Sequence, residues 1–163
     1  MAFAKGRFSE MNEMSPTIEP AVSQDFLQVS ALDRIAWLHT SHTYIPDGEH
    51  VWRVWCEYAM VLVARLREAS LSESGNIAGS LVMFRTHTDE EFLHKIMVHP
   101  DMRGRGIGTR LMQTALQTTT NSVLLTVDPE NTAALQLYHT LGFQIRPLID
   151  VYYRPPEERF LMP

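Results

Sequence analysis

The chain is poor in cysteine, in basic charge and in long apolar runs. Cys56 is the single cysteine among 163 residues. No intramolecular disulfide can form, which suits a reducing, cytoplasmic compartment. Its neighbours Val51, Trp52, Val54, Trp55 and Tyr58 make it a buried structural thiol rather than a nucleophile. Lys and Arg number 14 against 19 Asp and Glu, for a net charge of −5. Phosphate contacts dominate nucleic-acid affinity and need a basic face, so nucleic acid is not expected as a partner. No run reaches the ~18 apolar residues of a membrane span. Residues 1–16 have no apolar core of a secretory signal. They read as a flexible segment ahead of one domain over 17–163, long enough for a sizeable core. His39, Ser41, His42, Tyr44 and His50 group polar side chains, but their spacing fits no zinc pattern and no metal is expected.

What is present is a mixed succession of strands and helices. Thr17–Val22 reads as a short strand, and Ser23-Gln24-Asp25 as the cap of a helix reaching Trp37. A second helix covers 50–58. Met60–Arg67 is nearly continuous in apolar and β-branched residues, as a strand covered on both faces would be. Strands follow at Ile77–Arg85 and Phe92–His99. An amphipathic helix bears Ile107, Leu111, Met112, Ala115 and Leu116. A strand at Ser122–Val127 leads to a turn and a helix from Thr132 to about Leu141, which Gly142 stops. Phe143–Tyr153 and Arg159–Met162 read as final strands. The order implies a single mixed α/β domain.

The most informative stretch runs from Ile96 to Met112. An apolar strand meets His99-Pro100, and then a basic, glycine-rich turn (Arg103-Gly104-Arg105-Gly106-Ile107-Gly108-Thr109) opens the amphipathic helix. Such a turn lets unpaired backbone N–H groups at the helix start face an anion, and the helix dipole adds positive potential. It is neither of the two common phosphate loops. Gly108 is followed by Thr109-Arg110 without the P-loop lysine, and Gly104-x-Gly106-x-Gly108 has the wrong spacing for a dinucleotide fold.

Arg103, Gly106 and Gly108, read as Arg-x-x-Gly-x-Gly, resemble the acetyl-CoA signature of the GCN5-related N-acetyltransferases (GNAT family). A second block agrees: Asn131 opens a helix, Leu137-Tyr138 lies on it, and Leu141-Gly142-Phe143 ends it. The pattern is similar to that of ribosomal-protein N-terminal (N-alpha) acetyltransferases. The resemblance implies a twisted mixed sheet of about six to seven strands flanked by about four helices, with two strands splayed into a V-shaped cleft. It places the pantothenate arm of acetyl-CoA along the backbone of Ile96, Met97 and Val98. The pyrophosphate falls on Gly104, Arg105, Gly106, Ile107, Gly108 and Thr109, with Arg103 and Asn131 as further cofactor contacts.

The implied chemistry is direct attack of a primary amine on the thioester. Val98 N–H is the implied oxyanion donor, and the Tyr138 hydroxyl the acid for the departing thiolate. Relatives that acetylate protein N-termini carry a Glu where this chain has Thr126, which cannot serve as a base. Substitutes are Glu90, Glu91, His99 or a water held by Thr126. Freeing an α-amine at pH 7 costs about 1 kcal/mol, and a lysine about 4.6. A site without a dedicated carboxylate therefore suits the less basic amine. Tyr152-Tyr153 matches a substrate-contacting tyrosine pair of some N-terminal acetyltransferases. A protein N-terminus and a small-molecule amine both remain acceptors, and a CoA-binding sensor or regulatory module is the alternative to an enzyme. The sheet edge leaves room for a homodimer.

Overall fold

A computed structural model of the chain describes residues 15–38, 46–67, 71–144 and 160–162. Among them the order is β1 (Thr17–Pro20), α1 (Phe26–Ala36), α2 (Glu49–Tyr58), β2 (Met60–Arg65), β3 (Ile77–Arg85), β4 (Glu91–Val98), α3 (Ile107–Gln117), β5 (Val123–Val127), α4 (Thr132–Thr140) and β6 (Phe160–Met162). The six strands form one sheet in chain order. Every pairing is antiparallel except β4 with β5, which is parallel. The sequence thus yields the expected mixed sheet and four helices. Of the strand expected over Phe143–Tyr153, Phe143 and Gln144 lie outside any strand, and 145–153 are outside the described residues.

Strand β2 shows why the sheet needs covering on both sides. Val61 and Val63 face one side and Leu62 and Ala64 the other, and all four are buried. On the first side α1 and α2 supply Val29, Leu32, Ala36, Trp52 and Cys56, packed with Val82 and Met97. On the second, α3 contributes Ile107, Leu111, Met112 and Ala115, joined by Leu81, Leu93, Leu125, Tyr138 and Phe143. Cys56 behaves as expected of a structural thiol. Burial, assisted by the Asp25 charge, pushes its pKa up to about 11.

Gly79 in β3 sets how closely α3 approaches. A Cβ there would lie 3.0 Å from Ile107 Cγ2, 3.1 Å from the Met97 carbonyl oxygen and 3.2 Å from Leu111 Cδ1. The start of α3 is therefore seated directly on β3 and β4, beside the glycine turn.

Candidate active site

Strands β4 and β5 pair only where Glu91, Phe92 and Leu93 face Val123, Leu124 and Leu125. Beyond Leu93 the two strands part, and β4 continues to Val98 along an open cleft. His99 N–H donates to the Ala78 carbonyl at 2.8 Å. The alternation of an antiparallel ladder then points the backbone groups of Met97 at β3, and those of Ile96 and Val98 at the open side. The Val98 carbonyl confirms the direction, accepting from Arg103 Nε at 3.3 Å. Met97 departs from the expectation placed on it: its backbone belongs to the β3 ladder and its side chain to the core under α1 and α2.

The glycine turn meets the mouth of this cleft. Gly104 and Gly106 have φ of +72° and +73°, a region in which a side chain is strained. Gly106 is the N-cap of α3 and offers no side chain to cap it. The first helical bond runs from Arg110 N–H to the Gly106 carbonyl at 3.0 Å. The N–H groups of Ile107, Gly108 and Thr109 thus have no partner within the helix. Gly108 faces the cleft, where a Cβ would stand 3.7 Å from Leu137, 3.9 Å from Ile96 and 3.9 Å from Val98. Arg103, expected to contact the cofactor, is engaged in the scaffold. Besides Val98 it donates to the Ala36 carbonyl, tying the turn to the end of α1.

Helix α4 approaches the same cleft. Asn131 caps it, its Oδ1 accepting from Ala134 N–H at 3.1 Å, which leaves its NH2 to donate to a ligand. Gly142, at φ +92°, stops it. Phe143 N–H reaches back to the Tyr138 carbonyl at 3.1 Å, and Gly142 N–H to that of His139 at 3.0 Å. This turn folds the Phe143 ring onto Tyr138, with centroids 5.9 Å apart and planes at 62°. The Leu-Gly-Phe ending therefore fixes the tyrosine. Burial pushes the Tyr138 phenol well above the ordinary range, keeping it protonated and able to donate.

The residues expected to act as base are otherwise occupied. Glu91 is buried and accepts from Arg85 Nε at 3.4 Å and Asn121 Nδ2 at 3.3 Å, joining the β3–β4 hairpin to the approach to β5. It lies at the opposite end of β4 from Val98, about 23 Å along the strand at ~3.3 Å per residue. Glu90 accepts from Thr88 Oγ1 at 3.0 Å in the hairpin turn. His99 is buried and its Nδ1 accepts from Asp101 N–H at 3.3 Å, capping the short turn that follows. Thr126 is the next residue after the last β5 residue paired with β4, beside the point where the strands part. Tyr152 and Tyr153, and His39, Ser41, His42 and Tyr44, lie outside the described residues.

A second set of groups at the same point was not singled out from the sequence. Val82 faces Lys95 while Met83 faces Leu93, so His94 is an extra residue in β4 at the end of the β4–β5 pairing. The bulge sends His94 and Lys95 in succession to the face of α1 and α2. His94 Nε2 lies 3.5 Å from Asp47 Oδ2. Its ring centroid is 4.8 Å from that of Trp55 and 6.2 Å from that of Phe84, which is 5.7 Å from Phe92. Lys95 Nζ donates to both Asp33 oxygens at 3.0 Å and to Asp47 Oδ2. Asp33 Oδ2 also accepts from Asp47 N–H at 2.9 Å and Trp52 Nε1 at 3.0 Å. Burial alone would raise the Asp47 pKa, but the hydrogen bonds and charges of His94 and Lys95 hold it below the ordinary carboxylate value.

Comparison with known proteins agrees with this architecture. Residues 30–143 match the acetyltransferase (GNAT) family. The chain is 42% identical over 78 residues to the N-alpha-acetyltransferase RimI of Mycobacterium tuberculosis, covering 47% of this chain and 49% of that protein. It is 39% identical over 71 residues to the mycothiol acetyltransferase of Thermobifida fusca, covering 41% and 22%. The chain thus spans about half or less of the length of the curated relatives it matches. In fold it is similar to a chain of the NatC complex bound to Gag peptide and CoA, with TM-score 0.70, 20% identity and coverage of 91% and 97%. It is likewise similar to the ribosomal-protein-S18-alanine N-acetyltransferase of Escherichia coli, with TM-score 0.67, 22% identity and coverage of 90% and 89%. With the match running from within α1 through the splayed strands and the glycine turn to Phe143, the chain belongs to the acetyltransferase (GNAT) family.

Proposed function

We propose that this protein transfers an acetyl group from acetyl-CoA to a primary amine by direct attack. The observation that carries the reading is the continuity of the cleft: bare N–H groups at the start of α3, then cleft-facing N–H groups on Val98 and Ile96, then the point where β4 and β5 close. The pyrophosphate would lie on Gly104, Arg105, Gly106, Ile107, Gly108 and Thr109, and the arm along Ile96 and Val98. Asn131 NH2 would be a further contact. Ile96 N–H, the cleft-facing amide nearer the apex, would stabilise the oxyanion, and Val98 N–H, expected from the sequence in that role, would hold the arm instead. Tyr138, held protonated by burial, would donate to the thiolate as the C–S bond breaks.

The acceptor we infer is a weakly basic amine, first a protein N-terminal α-amine. The similarity to a protein named N-alpha-acetyltransferase RimI supports it, as does the smaller cost of freeing an α-amine near pH 7. A small-molecule amine is the second acceptor class, supported by the mycothiol acetyltransferase relative. Thr126, in place of a carboxylate, favours one other reading, a catalytically weak CoA-binding sensor. Thiol release from acetyl-CoA across a panel of amines separates the two. Turnover that falls at least ~10-fold in kcat in Tyr138→Phe, with CoA affinity unchanged, is the result expected of the enzyme. CoA binding without turnover on any amine assigns the sensor, and no CoA binding at all removes both.

A further inference from the structure

We propose that His94, oriented by Asp47, is the base that takes the proton from the acceptor ammonium; this rests on the acetyl-transfer reading above. An acyl arm entering between β4 and β5 from the glycine turn can extend no deeper than Leu93 and Leu125, where the strands pair. His94 is the first β4 residue beyond that closure, and the bulge that makes it an extra residue turns its ring to the face of α1 and α2. Tyr138 lies on the opposite face, among the core residues under α3. An acyl carbon lodged between the strands therefore has a phenol on one side and an imidazole on the other. The phenol side is closed by packed side chains. No described residue closes the imidazole side, where the His94 side chain is 35% exposed.

The arrangement around the ring suits a base. Nε2 faces the Asp47 carboxylate at 3.5 Å, which favours the neutral tautomer that donates from Nε2 and accepts at Nδ1. Among the described residues, the charged groups around it are Asp47 itself, Lys95 on the same carboxylate, and Asp33 on the far side of Lys95. Lys95 and His94 meet the same Asp47 oxygen, Oδ2, so the ammonium fixes in place the oxygen that faces the imidazole. Trp55, Phe84 and Phe92 flank the ring with apolar surface and π faces that attract an ammonium. The acceptor this fits is a cationic amine carried beside an apolar group. The ammonium gives one proton to Nδ1, which returns it to solvent. The freed lone pair forms the C–N bond as the C–S bond breaks. The second proton of the attacking nitrogen ends on the departing sulfur by way of the Tyr138 phenol.

The test uses the full chain, acetyl-CoA and short peptides with free α-amines that differ in their first residue. For the wild type, kcat/KM against pH should be bell-shaped. In His94→Ala it should fall about 100-fold at pH 7. The profile should become a single rise that levels near the pKa of the amine, about 7.8 for an α-amine. Added imidazole should restore activity. Asp47→Asn should shift the profile the same way with a smaller loss. CoA affinity by calorimetry should stay constant in all three proteins. Should His94→Ala fail to bind CoA, His94→Gln and Asp47→Asn carry the same comparison. An active wild type whose folded His94 variants keep its rate and pH profile overturns the base alone. A wild type that binds CoA but acetylates no amine overturns the acetyl-transfer reading, and this proposal with it.

Discussion

Gly106 and Gly108 are two residues apart in one motif, yet substitution by alanine should move stability in opposite directions. Gly106 sits at φ +73° with nothing within 4 Å of where a Cβ would stand. Its alanine is therefore strained by backbone conformation alone, at about 1–2 kcal/mol. Gly108 lies within the first turn of α3, and its Cβ would meet neighbours no closer than 3.7 Å. There alanine lowers the entropy of the unfolded chain without a clash, a gain of about 0.5–1 kcal/mol. At roughly 2–4 °C per kcal/mol for a domain of this size, Gly106→Ala should lower Tm by about 2–8 °C and Gly108→Ala should raise it by about 1–4 °C. Scanning calorimetry of the ligand-free proteins measures both. A second comparison separates ligand contact from strain. The Gly106 Cβ points into space that no protein atom fills, so any loss of CoA affinity in Gly106→Ala reports contact with the ligand. Gly108→Leu should keep the fold and abolish CoA binding, because its side chain would fill the cleft between Ile96, Val98 and Leu137. Equal Tm shifts for the two alanine variants, or tight CoA binding by Gly108→Leu, would refute the reasoning.

Other substitutions probe the frame of the site. Gly79→Ala brings a Cβ to 3.1 Å from the Met97 carbonyl oxygen, which cannot yield as a side chain can. Overpacking should cost about 1–3 kcal/mol in urea unfolding and weaken CoA binding by displacing the start of α3; a neutral result would contradict the close seating of that helix. Lys95→Met leaves the fully buried Asp33 and the partly buried Asp47 without their shared cation. It should cost about 3–5 kcal/mol, and Lys95→Met with Asp33→Asn should recover a large part; an additive pair would deny the coupling. Asp47 has a folded pKa below its ordinary 3.8. Its contribution is therefore complete above that value and lost as pH falls through the folded pKa. Asp47→Asn should flatten acid unfolding in that window alone. Tyr138 has its pKa raised by burial, so the unfolded chain ionises first as pH passes about 10. Stability should fall there with rising pH, and Tyr138→Phe should remove that part of the decline.

What was legible in the sequence is what lies close together along the chain. Residues 103–109 carry their own turn geometry, and the glycines at positive φ are where a local reading puts them. The Leu141-Gly142-Phe143 ending is equally local, because its helix stop and the return of Phe143 onto Tyr138 span six residues. The opposite face is assembled across long separations. Asp33 and Lys95 are 62 positions apart, and Asp47 and Lys95 are 48 apart, so no spacing rule connects them. One local sign was available. In Phe-Leu-His-Lys-Ile-Met, two consecutive polar residues interrupt the continuous apolar run of a strand covered on both faces, and the bulge lies at that interruption. A lysine inside such a strand also requires a carboxylate from elsewhere. The expectation for Met97 failed for a related reason. Which backbone groups face a neighbouring strand depends on register, and the bond from His99 to Ala78 that sets it is a tertiary contact.

The Asp33–Lys95–Asp47 group is better understood as a positioning device than as a source of stability. Removing three charges from water costs several kcal/mol per ion, and attraction within the group only offsets that cost. Apolar side chains of similar size would fill the same volume beneath α1 and α2 at no such cost. What they would not provide is direction. Asp33 holds the backbone N–H of Asp47, the indole of Trp52 and the ammonium of Lys95 together. Lys95 in turn holds the Asp47 carboxylate against His94. Each of these bonds fixes an element that borders the end of the cleft: the approach to α2, α2 itself, and the bulge of β4. On the proposed reading the two faces of the sheet would divide the work, with backbone amides and a buried phenol serving the coenzyme and a fixed chain of charges ending in an exposed imidazole serving the amine.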